Sequence, residues 1–250
     1  MTASSSATKR PWMSPGRLLY ALLLVTCWGQ PAAATADEPL RIMPLGDSIT
    51  ESGPGDASYR YYLWKFLQEQ GIAVDFVGSM TGVRGGAPRY KDFDQQHEGH
   101  TGWRTDQVRD RVAAWSAAAR PDLVLIHLGT NDLWQGQTVG DTARRIGEVI
   151  DELRRVTPGI HVLLAQIIPS PLAPLRNIAA LNHALVATAR DRSTPASPVM
   201  LVDLATGFDP GTMTSDGVHP NDRGERWMAD RWGAALLSHL GREIRSGKAD

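Results

Sequence analysis

The chain has 250 residues, of which 42% are hydrophobic and 21% charged, with a formal net charge of -1. That length suits one domain or at most two small ones, and the apolar content supplies a sizeable core. The balanced charge excludes a nucleic-acid binder of the usual kind, which is strongly basic with clustered Lys and Arg.

The first segment differs from the rest. Lys9, Arg10 and Arg17 supply positive charge and no acid precedes Asp37. An apolar run covers 18–27, and Ala34-Thr35-Ala36 forms an A-x-A cleavage pattern. The segment 1–36 therefore reads as a secretory signal peptide, cleaved near Ala36, which places the mature protein outside the cell or in a periplasm. The run is about half of the ~20 residues that a spanning helix needs, so no integral membrane contact is expected of the mature form. Cleavage also removes Cys27, the one cysteine, and with it any disulfide or thiolate metal site. Residues 37–250 are then a single domain.

Short apolar runs alternate with amphipathic stretches through that domain. Leu40–Leu45 predicts a first strand ending at Gly46, and 59–70 a helix. Ala73–Val77 predicts a second strand. The segment 80–103, with Gly82, Gly85, Gly86 and Pro88, lacks a clear period and is long enough for a functional loop. A helix over 106–119 follows, then a nearly unbroken apolar run at Leu123–Leu128. Val139, Ala143, Ile146, Ile150, Leu153 and Val156 recur at helical steps; Thr138 and Asp141 have cap-like spacing before them, and Pro158-Gly159 closes the stretch. Val162–Ile168 and Val199–Val202 predict the last strands, and 175–191 and 223–244 the last helices. Continuous apolar runs fit strands buried on both faces. The alternation with helices argues for an open parallel sheet covered on both sides, with ligands beyond the carboxyl ends of the strands.

Three short segments fall at that edge: Gly46-Asp47-Ser48, Gly129-Thr130-Asn131-Asp132 and Asp216-Gly217-Val218-His219-Pro220. A serine hydroxyl is a poor nucleophile until a base takes its proton, and His219 can do so near neutral pH. The base needs an acceptor that fixes its tautomer; Asp216, three residues earlier, reaches it through one turn. A developing oxyanion needs aimed donors, which backbone N–H groups and the Asn131 amide supply. Each segment alone reads equally well as a turn or a cap; their order and placement together point to chemistry.

The three blocks, with Thr101-Gly102-Trp103-Arg104-Thr105, resemble the SGNH hydrolases, also called the GDSL esterase superfamily. The resemblance covers roughly residues 40 to 240 and implies a three-layer α/β/α sandwich with a mainly parallel, five-stranded, flavodoxin-like sheet. It implies Ser48, Asp216 and His219 as catalytic residues and an oxyanion hole from Ser48, Gly102 and Asn131, with Gly99 the rival glycine. The segments 42–50, 97–103 and 216–222 look like the carbohydrate esterases of family 3, which includes secreted acetyl xylan esterases. This implies a serine esterase that removes acetyl groups from a polysaccharide or a small ester, without metal or organic cofactor and without a nucleic-acid partner. The alternatives are a lipolytic esterase or lysophospholipase of the same superfamily and a non-catalytic carbohydrate-binding module.

Other residues carry two readings. Trp103 and Trp134 flank oxyanion residues and either stack on a sugar, wall the acyl pocket or pack. His97, Glu98 and His100 fit no strong zinc spacing and read as a loop that shapes the site; Asp92 and Asp94 are weak calcium ligands. Asp47 reads as a structural carboxylate and Asp132 as loop support. His127 reads as a hydrogen-bonded core histidine, and Arg104 as a charge at a helix start.

Overall fold

The computed structural model describes residues 1–2 and 38–241. The expected signal peptide, Cys27 included, and the end of the last predicted helix lie outside the described residues. The described residues 38–241 belong to one compact unit.

The first strand, β1 (Leu40–Gly46), leads into a short helix α1 (Ser48–Glu51). Helix α2 (Tyr59–Glu69), strand β2 (Val74–Phe76), strand β3 (Met80–Thr81) and strand β4 (Gln96–Gly99) follow. Helix α3 (Thr105–Ala119), strand β5 (Leu123–His127), a short helix α4 (Thr130–Trp134) and the long helix α5 (Val139–Val156) come next. The chain closes with β6 (His161–Ala165), a 3-10 turn at Ala173–Leu175, α6 (Ile178–Arg192), β7 (Val199–Val202), α7 (Pro210–Met213) and α8 (Asp222–His239).

The five expected strands are present and parallel, in spatial order β2-β1-β5-β6-β7. The sheet nevertheless has seven strands rather than five. Both additions come from the segment read as loop. β4 runs parallel to the end of β1, pairing Leu45 with Glu98 and Gly46 with Gly99, while β2 pairs with its beginning. β3 pairs antiparallel with β4. One edge of β1 is thus shared by two partners.

Every residue of β5 is buried, because alternate side chains enter different cores. Leu123 and Leu125 join Leu63 and Leu67 of α2 and Met228, Trp232 and Leu236 of α8. Val124 and Ile126 join Val108 and Val112 of α3, Ile146, Ile150 and Leu153 of α5, and Leu181 and Leu185 of α6. Two helices therefore cover one face and three the other, which makes the sandwich. The start of α5 is capped as its spacing predicts: the Thr138 hydroxyl accepts from the Asp141 N–H at 3.0 Å. Counted among the five expected strands, the chain order across the sheet is 2-1-3-4-5. The direction of winding reverses between β1 and β5, and a doubly wound sheet offers its crevice at that place.

Candidate active site

Ser48 and Asn131 sit just past the carboxyl ends of β1 and β5, on either side of the reversal. Ser48 opens α1. The preceding Gly46 is required by crowding: a Cβ there would lie 2.1 Å from Thr50 Oγ1 and 2.9 Å from the His127 carbonyl oxygen. Asp47 caps α1, its Oδ1 accepting from the Ile49 N–H at 3.0 Å. Its other oxygen accepts from the Asn131 Nδ2 at 3.3 Å. The carboxyl is fully buried, and burial raises its pKa to about 6 against the pull of the Ile49 N–H and of His219. Asp47 thus ties the Ser48 turn to the Asn131 amide.

His219 arrives from the loop before α8. Its Nε2 lies 2.9 Å from Ser48 Oγ, and its Nδ1 lies 2.7 Å from Asp216 Oδ2. The other Asp216 oxygen accepts from the backbone N–H groups of Val218 at 2.9 Å and His219 at 2.8 Å. Burial alone would raise the Asp216 carboxyl; the bonds from the His219 backbone and ring and from Val218 outweigh it and hold the pKa below the usual carboxylate value. With Asp216 ionised, Nδ1 carries the proton and Nε2 is left to accept one from Ser48.

Gly102 lies on the turn between β4 and α3 at φ +80°, a conformation that favours glycine. Three ties fix this turn. Glu51 Oε2 accepts from the Thr101 N–H at 2.8 Å and from its hydroxyl at 2.5 Å. The Gln135 amide donates to the Gly102 carbonyl at 3.2 Å. Asp132 accepts from the Thr105 N–H at 2.9 Å and its hydroxyl at 2.6 Å. The rival Gly99 is buried in β4, and its N–H donates to His97 Nδ1 at 3.0 Å.

Two cavities border Ser48 and His219, and Arg84, Thr101 and Asp216 line both. The first, about 260 Å³, is further lined by Ser52, Gly53, Asp56, Ser215 and Glu225. The second, about 340 Å³, is lined by Gly102, Asn131, Trp134, Leu172 and Val218.

The structure therefore brings together Ser48, Asp216, His219, Gly102, Asn131 and Trp134, the last 49% exposed. It does not bring Trp103 to either cavity. That ring stacks on His100 with centroids 4.5 Å apart and has the Arg111 guanidinium 4.9 Å from its centre. Glu98 is spent on the Ser79 N–H and hydroxyl, both at 2.7 Å, and on His100 Nε2 at 2.6 Å. Burial pushes His97 down to about 2, so it stays neutral. Among the described residues no group of three or more His, Cys, Asp or Glu is placed to hold a metal ion. Asp92 pairs with Lys65 at 2.6 Å, and Asp94 accepts from the backbone of Phe76 and Gln96. Arg104 is at the start of α3, paired with Asp106 at 3.0 Å. His127 differs from its reading: it is fully buried as expected, but neither ring nitrogen has a hydrogen-bond partner, and burial lowers its pKa to about 4. Burial holds it neutral against the opposing pull of its own backbone.

The sequence reading missed Arg84, Leu172, Ser52, Asp56, Ser215 and Glu225 as cavity walls. Leu172 follows β6, so applying the carboxyl-edge rule to every strand would have found it. Glu51 stands directly after the Gly46–Thr50 block, and its position was the only signal.

The model of the GDSL-like lipase/acylhydrolase family matches residues 45–227. The multidomain esterase of Ruminococcus flavefaciens is 31% identical over 237 residues, covering 84% of this chain. This chain spans only 30% of that protein's length. The arylesterase of Vibrio mimicus is 26% identical, with 89% of this chain and 98% of its own length covered. Among solved structures, a carbohydrate esterase family 3 from Talaromyces cellulolyticus superposes with TM-score 0.73 at 30% identity, covering 81% of this chain and 98% of its own. The family 3 carbohydrate esterase of Clostridium thermocellum gives 0.71 at 30% identity, covering 81% and 99%.

Proposed function

Because the chain belongs to the GDSL-like lipase/acylhydrolase family, a family of carboxylic ester hydrolases, we propose that it is a secreted serine esterase that removes acetyl groups from carbohydrate such as xylan. The observation that carries the chemistry is the relay from Ser48 Oγ to His219 Nε2 at 2.9 Å and from His219 Nδ1 to Asp216 at 2.7 Å. Ser48 Oγ attacks the ester carbonyl carbon as its proton passes to His219 Nε2. The carbonyl oxygen becomes an oxyanion, held by the N–H groups of Ser48 and Gly102 and by the Asn131 amide. The intermediate collapses, the bond to the alcohol oxygen breaks, and His219 returns the proton to the departing alcohol. Water then attacks the acetyl-enzyme by the same route and acetate leaves. Asp216 stabilises the imidazolium formed in each step without taking the proton.

The acetyl-carbohydrate part rests on likeness to the two family 3 carbohydrate esterases. Export rests on the leader ending at Ala36, and the mass of the mature N-terminus of exported protein tests it. One observation favours the lipolytic reading instead: the second cavity is walled by Trp134, Leu172 and Val218. Acetate release from acetylated xylan, set beside cleavage of p-nitrophenyl esters of two to twelve carbons, separates the two. Ser48→Ala is expected to lower kcat by at least about 10⁴-fold with an unchanged circular dichroism spectrum. Near-wild-type turnover by that folded variant ends the assignment.

A further inference from the structure

The tetrahedral intermediate on Ser48 carries three groups besides the Ser48 oxygen: the oxyanion, the acyl chain and the alcohol oxygen. The oxyanion faces Gly102 and Asn131. The acyl chain and the alcohol leave the carbon in different directions and need different space. The molecule offers two spaces at Ser48, and they differ in chemistry. One is walled by the side chains of Trp134, Leu172 and Val218. The other is walled by the hydroxyls of Ser52 and Ser215 and the carboxyls of Asp56 and Glu225, with Arg84 bordering both.

We propose that the polar cavity is the alcohol site, shaped for one polyhydroxylated ring, and that the apolar cavity receives the acyl chain. This rests on the reading of Ser48 as the nucleophile of an esterase and names the two sides of its substrate.

Three features support the partition. A volume of about 260 Å³ lies just under the roughly 300–1,000 Å³ of sites for drug-sized ligands, enough for a single ring rather than a chain of them. The polar wall combines acceptors, donors and hydroxyls that act as either, and a ring bearing several hydroxyls presents the same mixture. An aryl or alkyl alcohol would leave the most buried of those groups, Glu225 above all, without such partners, at a cost in binding. Finally, Glu225 is only 4% exposed; its carboxyl accepts from the Ser58 backbone N–H and, at a long 3.4 Å, from the Ser52 hydroxyl. Asp56 takes the Gly53 N–H on one oxygen at 3.1 Å. Acceptor capacity on this wall therefore remains for hydroxyls of a ligand.

The test compares two substrates with one acyl group, a mono-acetylated methyl pyranoside and p-nitrophenyl acetate, by the ratio of their kcat/KM values. In Asp56→Asn that ratio, sugar over aryl, is expected to fall about tenfold, mostly through KM for the sugar ester. Trp134→Ala is expected to hold the ratio near the wild-type value while shifting preference between two- and six-carbon acyl chains. Thermal melting confirms the fold of each variant; should Asp56→Asn not fold, Ser215→Ala reads the same ratio. A ratio unmoved in the folded variant, or a fall in Trp134→Ala instead, overturns the partition while wild-type activity keeps the esterase reading. A wild-type protein inactive on both esters overturns the esterase reading and the partition with it.

Discussion

In the cavity beside Ser48, the proposed nucleophile, Glu225 holds a carboxyl that the fold prefers neutral. Burial, with the charge of Asp56 behind it, raises its pKa from 4.5 to about 7. A proton is thus bound more tightly in the folded chain than in the unfolded one. The stability this supplies is complete below about pH 4.5 and is lost as the pH climbs through 7. Glu225→Gln stays neutral at every pH. It is expected to melt above the wild-type protein at pH 8 and to converge on it toward pH 4.5. A difference in melting temperature that does not change with pH would show that the carboxyl's titration is not coupled to folding. Residue by residue, the positions of Ser48, Asp216 and His219, which the fold brings within hydrogen-bond reach of one another, were legible because they come as short segments with few alternatives. The walls were not. Ser52, Asp56 and Glu225 are ordinary surface residue types, and only the approach of the segment after α1 to Glu225 of α8 makes a cavity of them. His127 misled for a related reason: a histidine in a buried strand is expected to find a side-chain or loop partner, and here neither ring nitrogen meets one.

Among the elements, α5 shows how local signals decide a boundary. Thr138 adopts extended backbone and its hydroxyl takes the Asp141 N–H. Thr138→Ala removes that acceptor from an exposed cap and is expected to cost about 1 kcal/mol, seen as a lower urea midpoint at unchanged slope. An unchanged midpoint would mean water replaces the hydroxyl at no cost. β5 and β6 were legible because burial on both faces demands unbroken apolar runs. β4 was not, since Gln96-His97-Glu98-Gly99 contains no aliphatic side chain. It is a strand because β1 has backbone to pair and because Ser79 and His100 satisfy Glu98 in the interior. Such polar satisfaction depends on residues distant in the chain and leaves no period. The short helices α1, α4 and α7 were equally hidden, as one turn of helix shows no amphipathic stripe.

At the scale of the molecule, one side chain joins the parts that function brings together. Arg60 of α2 has no exposed surface. Its guanidinium donates to the carbonyls of Thr50 at 2.9 Å and Glu51 at 3.2 Å, at the end of α1. It also donates to Gly82 at 2.6 Å and Gln95 at 2.8 Å, at the two ends of the irregular stretch between β3 and β4. Burial lowers its pKa to about 10, which leaves it charged at neutral pH. Arg60→Met would orphan these carbonyls and is expected to cost more than about 3 kcal/mol by urea unfolding; a loss below 1 kcal/mol would mean the acceptors find other donors. The deeper consequence concerns kinetics of opening. A stretch of this length without regular structure would ordinarily flicker open on its own, far below the free energy of global unfolding. Here its ends are pinned through Arg60 to α1, the helix that begins with Ser48, and its amides at Gly82 and Arg84 are bonded to Gln95 and Ser52. Those amides should exchange with deuterium as slowly as the central strands, and a protease should find no early cut between 82 and 95. The wall of the site that looks most like a loop would then open only when the domain does.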